Sequence, residues 1–128
     1  VRMTLAEAAS KWLDIRISRW VESVRDKTED GNTGPTKIIK PAIGYSSCPD
    51  HTLKSDAFRI LDSDGLGIEL TESYAMTPES SICGFIFMHP EGRYPEIRQI
   101  SEEQYDRYRQ ARGMDHETAR RFLGHLLK

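Results

Sequence analysis

The sequence predicts an α+β fold, an antiparallel β-sheet flanked by helices, on three observations. The chain opens on a long stretch with apolar residues at helical spacing, its middle holds short β-prone runs punctuated by Pro and Gly, and it closes on two amphipathic segments with polar starts. Helix first, strands in succession and helices last is the order of an α+β unit rather than the strict alternation of a parallel sheet. At 128 residues the chain falls in the commonest size range for one unit, so residues 1–128 are read as a single domain.

In the first element Leu5, Ala9, Trp12, Leu13, Ile17, Trp20, Val21 and Val24 recur at the i, i+3, i+4, i+7 spacing of a helix with one buried stripe. Thr4 with Glu7 three residues later reads as a capping box at its start. The run DKTEDGNTGP has turn formers and charge but no apolar side chain, so residues 26–36 read as a flexible, solvated loop. Ile38 and Ile39 form a short strand that Pro41 stops, because proline lacks the backbone donor and pushes Lys40 toward an extended conformation. KPAIGYSSCPD is then an irregular segment hinged at Gly44. Pro49 and Asp50 open a second helix whose stripe is Leu53, Ala57, Ile60 and Leu61, and Gly65 and Gly67 end it.

Ile68, Leu70, Tyr74 and Met76 alternate with Glu69, Thr71, Ser73 and Ala75, a period-two pattern broken by Glu72 on the apolar face. This predicts a half-buried strand with one inward-pointing, structurally bonded acid. ICGFIFM, residues 82–88, is apolar throughout and reads as a central strand covered on both faces, hairpin-paired with the preceding one across the Thr77-Pro78 turn; Met76 and Phe87 are assigned to the core. Tyr94 to Ile100 is a weaker strand whose Pro95 makes it an edge or an irregular start. Ser101 and Gln104 form a second capping box for a helix that stops at Gly113, and Asp115 caps a last helix with Ala119, Phe122, Leu123 and Leu126 as its buried stripe.

Eighteen Lys and Arg against 20 Asp and Glu leave a net charge of −2, which supplies no field to gather a polyanion, so nucleic acid is excluded as a first partner. No apolar run reaches the ~20 residues of a membrane helix, and the charged opening segment is no signal peptide. The chain is read as soluble and cytoplasmic, with Cys48 and Cys83 as reduced small hydrophobes. Gly65-Leu66-Gly67 follows a helix and precedes a strand, the reverse of the dinucleotide-binding order, and is treated as a turn. Cys48 and His51 have a C-x-x-H spacing that no second pair completes, so no metal is assigned. His51 and His89 are read as turn or cap residues, and no nucleophile elbow is present.

The segments LAEAASKWL, KPAIGYSSCPDHTLKSD, LTESYAM and CGFIFMHPEGRY stand in this order across most of the chain. Together they resemble the C-terminal part of the S-adenosylmethionine-binding reactivation (activation) domain of cobalamin-dependent methionine synthase. The resemblance implies a domain that holds S-adenosylmethionine and docks over the corrin of a cobalamin-binding domain, in cis or in trans, with a flavodoxin-type electron donor. There inactive cob(II)alamin is reduced and remethylated. Because cobalt is the nucleophile, no catalytic side chain is expected, and the domain contributes positioning.

Carried over residue by residue, the family's Arg-x-x-x-Gly-Tyr element is Lys40-Pro41-Ala42-Ile43-Gly44-Tyr45. This implies Lys40 for the ligand carboxylate, the backbone of Ala42, close approach at Gly44 and the ring and hydroxyl of Tyr45. Tyr94 and Glu7 match family positions near the ligand, Glu7 offsetting the sulfonium. Lys40 in place of Arg is a departure: an ammonium is a point charge that lacks the planar fork for a carboxylate, so the grip weakens. The N-terminal part of the family domain, with an acid for the ligand's amino group, is not represented. Two functions therefore stand side by side: a part of an S-adenosylmethionine site in methionine synthase reactivation, or a non-catalytic docking module for a corrinoid protein that has lost the ligand.

Overall fold

The computed structural model describes residues 2–25, 37–63 and 65–128; the turn-rich segment 26–36 lies outside them. Helix α1 spans Arg2–Arg25, strand β1 Lys37–Ile39, helix α2 Leu53–Leu61, strands β2 Glu69–Leu70, β3 Met76–Thr77 and β4 Phe87–His89, and helices α3 Glu102–Ala111 and α4 His116–Leu123, with a 3-10 turn at Gly124–Leu126. The fold is α+β, as predicted, with the strands in two small antiparallel pairs, β1 with β4 and β2 with β3. Among the described residues no helix is long and apolar enough to cross a membrane.

The C-terminal helices follow their local signals closely. Ser101 accepts from the Gln104 amide at 3.2 Å while the Gln104 side chain accepts from the Ser101 amide at 2.9 Å, the reciprocal capping box. Asp115 caps α4 by accepting from the Thr118 amide at 2.7 Å, and Gly113, at φ +63°, lets the chain turn between the two helices. Their apolar faces make the principal core, with Tyr105, Ala119, Leu123 and Leu126 buried and Ile100, Tyr108, Met114 and Leu127 packed around them; Phe122 is half-buried. Replacing Ser101 by Ala removes one arm of the box, and urea unfolding should show a loss of about 1 kcal/mol.

Elsewhere the packing departs from expectation. Helix α1 already includes Arg2 and Met3, both good helix formers, so Thr4 is an internal residue and not the N-cap. Its predicted buried stripe is open: Leu5, Trp12, Leu13 and Trp20 are exposed, and among the described side chains of the stripe only Ile17 and Val21 are half-buried. Periodicity identifies an apolar face but says nothing of what covers it. Helix α2 ends at Asp62, whose φ of 48° makes the left-handed turn assigned to Gly65 and Gly67; these two follow in an exposed loop at φ +90° and +67°.

The β region is rewired. The segment read as one strand from Ile68 folds back on itself: Glu69 pairs with Thr77 and Leu70 with Met76, around a turn in which Tyr74 adopts φ 58°. Glu72 sits in that turn, exposed, so it is no buried acid. The apolar run 82–88 does not pair with this segment. Its end forms β4, which pairs with β1 in the register Lys37↔His89, Ile38↔Met88, Ile39↔Phe87. Ile82, Ile86, Phe87 and Met88 are exposed, so the run is not a doubly covered central strand, and Phe87 is not core, while Met76 is half-buried. With three residues in its ladder and its side chains open, this run behaves as surface. Residues 94–99 are irregular coil; Pro95 and the lack of a flanking strand leave only an isolated parallel bridge from Ile100 to Leu127.

Candidate functional site

The segment following β1 is built as two consecutive tight turns. Tyr45 N donates to Ala42 O at 3.3 Å, Cys48 N to Tyr45 O at 2.8 Å, and Gly44 N to Cys48 O at 2.7 Å. Ala42 also bridges Gly84, which extends the β1–β4 pairing past Pro41. Gly44 stands at φ +94°, a conformation that favours glycine, and a Cβ there would lie 2.3 Å from His51 Cε1. The space beside the glycine is thus filled by the protein's own imidazole. His51 in turn faces Lys54 Nζ at 3.5 Å and the Phe122 ring at 6.3 Å between centroids. Burial and the Lys54 ammonium push its pKa below the ordinary value, so the ring under the turn is neutral at pH 7.

Two further elements clamp the turn. The coil after β4 crosses it, with Ile97 N donating to Ser46 O at 2.8 Å and Lys40 N donating to the Tyr94 hydroxyl at 2.8 Å. Beyond the turn, Asp50 is buried and accepts from Thr52 N at 2.8 Å, Thr52 Oγ1 at 2.7 Å and the Tyr108 hydroxyl at 2.8 Å. Arg112, from the end of α3, reaches Asp50 Oδ2 at 3.6 Å, Thr52 Oγ1 at 3.2 Å and Asp56 Oδ2 at 2.5 Å. Burial alone would raise the Asp56 carboxyl, but hydrogen bonds from Arg112 and Arg59 outweigh it and hold the pKa low. Burial and the Asp50 carboxylate push the Tyr108 hydroxyl up, so it stays a proton donor.

The structure brings five of the six sequence-derived site residues into one neighbourhood. Ala42, Gly44 and Tyr45 share a turn, Lys40 enters it, and Tyr94 is bonded to Lys40 across 54 positions of sequence. Tyr45 and Tyr94 present their rings outward, 67% and 56% exposed. The Lys40 ammonium is ion-paired with Asp14 of α1 and donates to Ser10 Oγ at 3.2 Å. Glu7, exposed, precedes Ser10 by three positions and Asp14 by seven, which is one helical face. That face meets Lys40, so Glu7 lies on the site's side of α1. Ser10 and Asp14 were not identified from sequence; the only signal is their spacing from Glu7.

A separate apolar cleft of about 310 Å³ is lined by Cys48, Pro49, Asp50, Ile100, Tyr108 and Leu126 among others, and it contains none of the six residues. Both cysteines are unpaired and half-buried, their thiols raised chiefly by burial, so they act as small hydrophobes rather than nucleophiles. Among the described residues no three His, Cys, Asp or Glu side chains converge as metal ligands.

Chemically the arrangement offers a cation at the mouth of a rigid turn, acids beside it and exposed aromatic rings. It suits a small polar ligand held by its charged end. The sequence pattern of the family described as "Vitamin B12 dependent methionine synthase, activation domain" matches residues 2–113. A solved structure described as "Crystal Structure of the MetH Reactivation Domain bound to AdoHcy" superposes with a TM-score of 0.67 at 33% identity, over 81% of this chain and 30% of that one. The match therefore spans less than a third of the length of that relative. With the turn, its clamps and the match over residues 2–113 taken together, the chain belongs to the activation-domain family of vitamin B12-dependent methionine synthases.

Proposed function

We propose that residues 1–128 act as one unit that holds the amino-acid end of S-adenosylmethionine in the turn at Lys40–Tyr45 and docks on a cobalamin-binding domain, so that an oxidised cobalamin is returned to its methylated form. The reading is supported by family membership, by S-adenosylhomocysteine in the solved relative, and above all by one observation: Lys40, Gly44, Tyr45 and Tyr94 meet at a single rigid turn. The residues fit such a ligand. The Lys40 side chain is 22% exposed and its ammonium can take a carboxylate, Tyr45 offers a ring and a hydroxyl, and Glu7 supplies negative charge for a sulfonium.

When bound, S-adenosylmethionine would supply a methyl group to a reduced cobalamin of the partner domain, with the electron from a flavodoxin-type donor and S-adenosylhomocysteine as the by-product. The chain's own part is to fix the ligand. Lys40 is held by its backbone through Tyr94, so its ammonium starts from a defined position, and the hydrogen-bonded turn fixes Tyr45 beside it. No side chain need move a proton.

Calorimetric titration with S-adenosylmethionine, for the chain alone and mixed with a cobalamin-domain partner, tests this. Binding should be seen at least in the mixture, Lys40→Ala should weaken it about tenfold or more, and Lys40→Arg should tighten it a few-fold by restoring the two-pronged contact. The alternative, a docking module without the ligand, draws support from the pairing of Lys40 with Asp14 and predicts no heat in either titration.

A further inference from the structure

The ion pair between Lys40 and Asp14 has a consequence for which part of the ligand each charge takes. We propose that Asp14 is a ligand-binding residue that receives the α-ammonium group of the amino-acid tail while Lys40 receives its α-carboxylate. This rests on the proposed S-adenosylmethionine site and adds to it an acid from α1 at the ligand's amine.

The α-ammonium and α-carboxylate of an amino acid hang on one carbon, so the protein charges that receive them must themselves be neighbours. Lys40 and Asp14 are in direct contact, one from the turn and one from α1. Glu7 is seven positions away from Asp14, about 10 Å along the helix at ~1.5 Å per residue, and is placed for the sulfonium rather than for the amine. Both partners are accessible, Lys40 being 22% and Asp14 49% exposed, so a ligand can reach them without the helix leaving.

A simple carboxylate ligand would compete with Asp14 for the ammonium. A zwitterion need not. Its two charges complete a ring of four in alternating sign, in which Lys40 touches Asp14 and the ligand carboxylate, and Asp14 touches Lys40 and the ligand amine. Each charge then has two opposite neighbours, and the existing pair is kept. Ser10 Oγ, accepting from Lys40 Nζ at 3.2 Å, takes another of the ammonium's three hydrogens and leaves one for the ligand. The device also suits a lysine. A single ammonium grips a carboxylate less well than a guanidinium, and a second charge on the neighbouring ligand group offsets the difference.

The test is calorimetric titration with S-adenosylhomocysteine and with its analogue lacking the α-amine, against the wild-type chain, Asp14→Asn and Asp14→Glu, in the presence of the cobalamin-domain partner. S-adenosylhomocysteine should bind Asp14→Asn about three- to tenfold more weakly than wild type, and Asp14→Glu should recover part of the loss. The deaminated analogue should bind wild type and Asp14→Asn alike, or Asp14→Asn more tightly, which also shows that the variant is folded. Equal or tighter binding of S-adenosylhomocysteine to Asp14→Asn would overturn the assignment and leave Asp14 as a competitor for Lys40. Absence of binding to the wild-type chain would instead overturn the site itself, and this assignment with it.

Discussion

Asp50→Ala is expected to cost about 3–5 kcal/mol, the largest single loss anywhere in the described residues. The carboxylate is 2% exposed and stands at the centre of a network that ties the start of α2 to the end of α3. Removing it leaves the Thr52 amide, the Thr52 hydroxyl and the Tyr108 hydroxyl without their acceptor, and it takes one counter-charge from Arg112. Each orphaned buried group carries its own desolvation penalty, so the loss exceeds the worth of any one bond. Tyr108→Phe removes a single donor and should cost only about 1 kcal/mol. Urea unfolding followed by circular dichroism separates the two, and a loss near 1 kcal/mol for Asp50→Ala would mean that the network carries little of the stability. Because domains are stable by about 5–15 kcal/mol in all, the variant should lie near its folding threshold at 37 °C.

That network marks the boundary of what could be read in advance. Asp50 is legible as a helix-start residue because the signal is local: Pro49 and Asp50 precede an apolar periodic run. The same holds for Ser101, Gln104 and Asp115, whose partners lie three residues away. Its pairing with Tyr108 and Arg112, 58 and 62 residues further on, has no local signature. The β region fails for the same reason. Ile38 and Ile39 read correctly as a strand, but their partner, Phe87–His89, lies nearly fifty residues off, and for the 82–88 run a hairpin with the adjacent 68–76 segment is the more economical expectation. Family resemblance reached further than periodicity: it gathered Lys40, Gly44, Tyr45 and Tyr94, which the structure brings to one turn, whereas composition and spacing would have stopped at an α+β fold.

The apolar surfaces tell a related story. Leu5, Trp12 and Trp20 on α1, and Ile82, Phe87 and Met88 along the 82–88 run, are exposed, although their patterns read as core. Pattern records the environment for which a segment was selected, and that environment includes whatever packs against it. The solved relative is much longer than this chain, which covers 30% of it. The side chains most tightly fixed here are the ones whose partners are within the described residues: Tyr105, Ala119, Leu123 and Leu126 in the helical core, and Asp50, Thr52 and Lys54 under the turn.

Gly44→Ala should cost about 2–4 kcal/mol and, on the proposed function, abolish measurable binding of S-adenosylhomocysteine, by two separable effects. A φ of +94° is unfavourable for any residue with a Cβ, whatever surrounds it, and this accounts for about 1–2 kcal/mol. The new methyl also meets the His51 ring at 2.3 Å, inside contact distance, and the ring is held by Lys54 and Phe122 on its other sides, so it cannot withdraw freely. A double-mutant cycle with His51→Ala divides them. Gly44→Ala in the His51→Ala background should lose only the backbone part, and the difference between the two backgrounds measures the collision. If Gly44→Ala costs the same with and without the imidazole, the ring yields easily and the turn is shaped by its backbone bonds alone. If it costs nothing in either, the turn is not rigid, and the proposed cradle at Lys40–Tyr45 loses the property on which ligand positioning would depend.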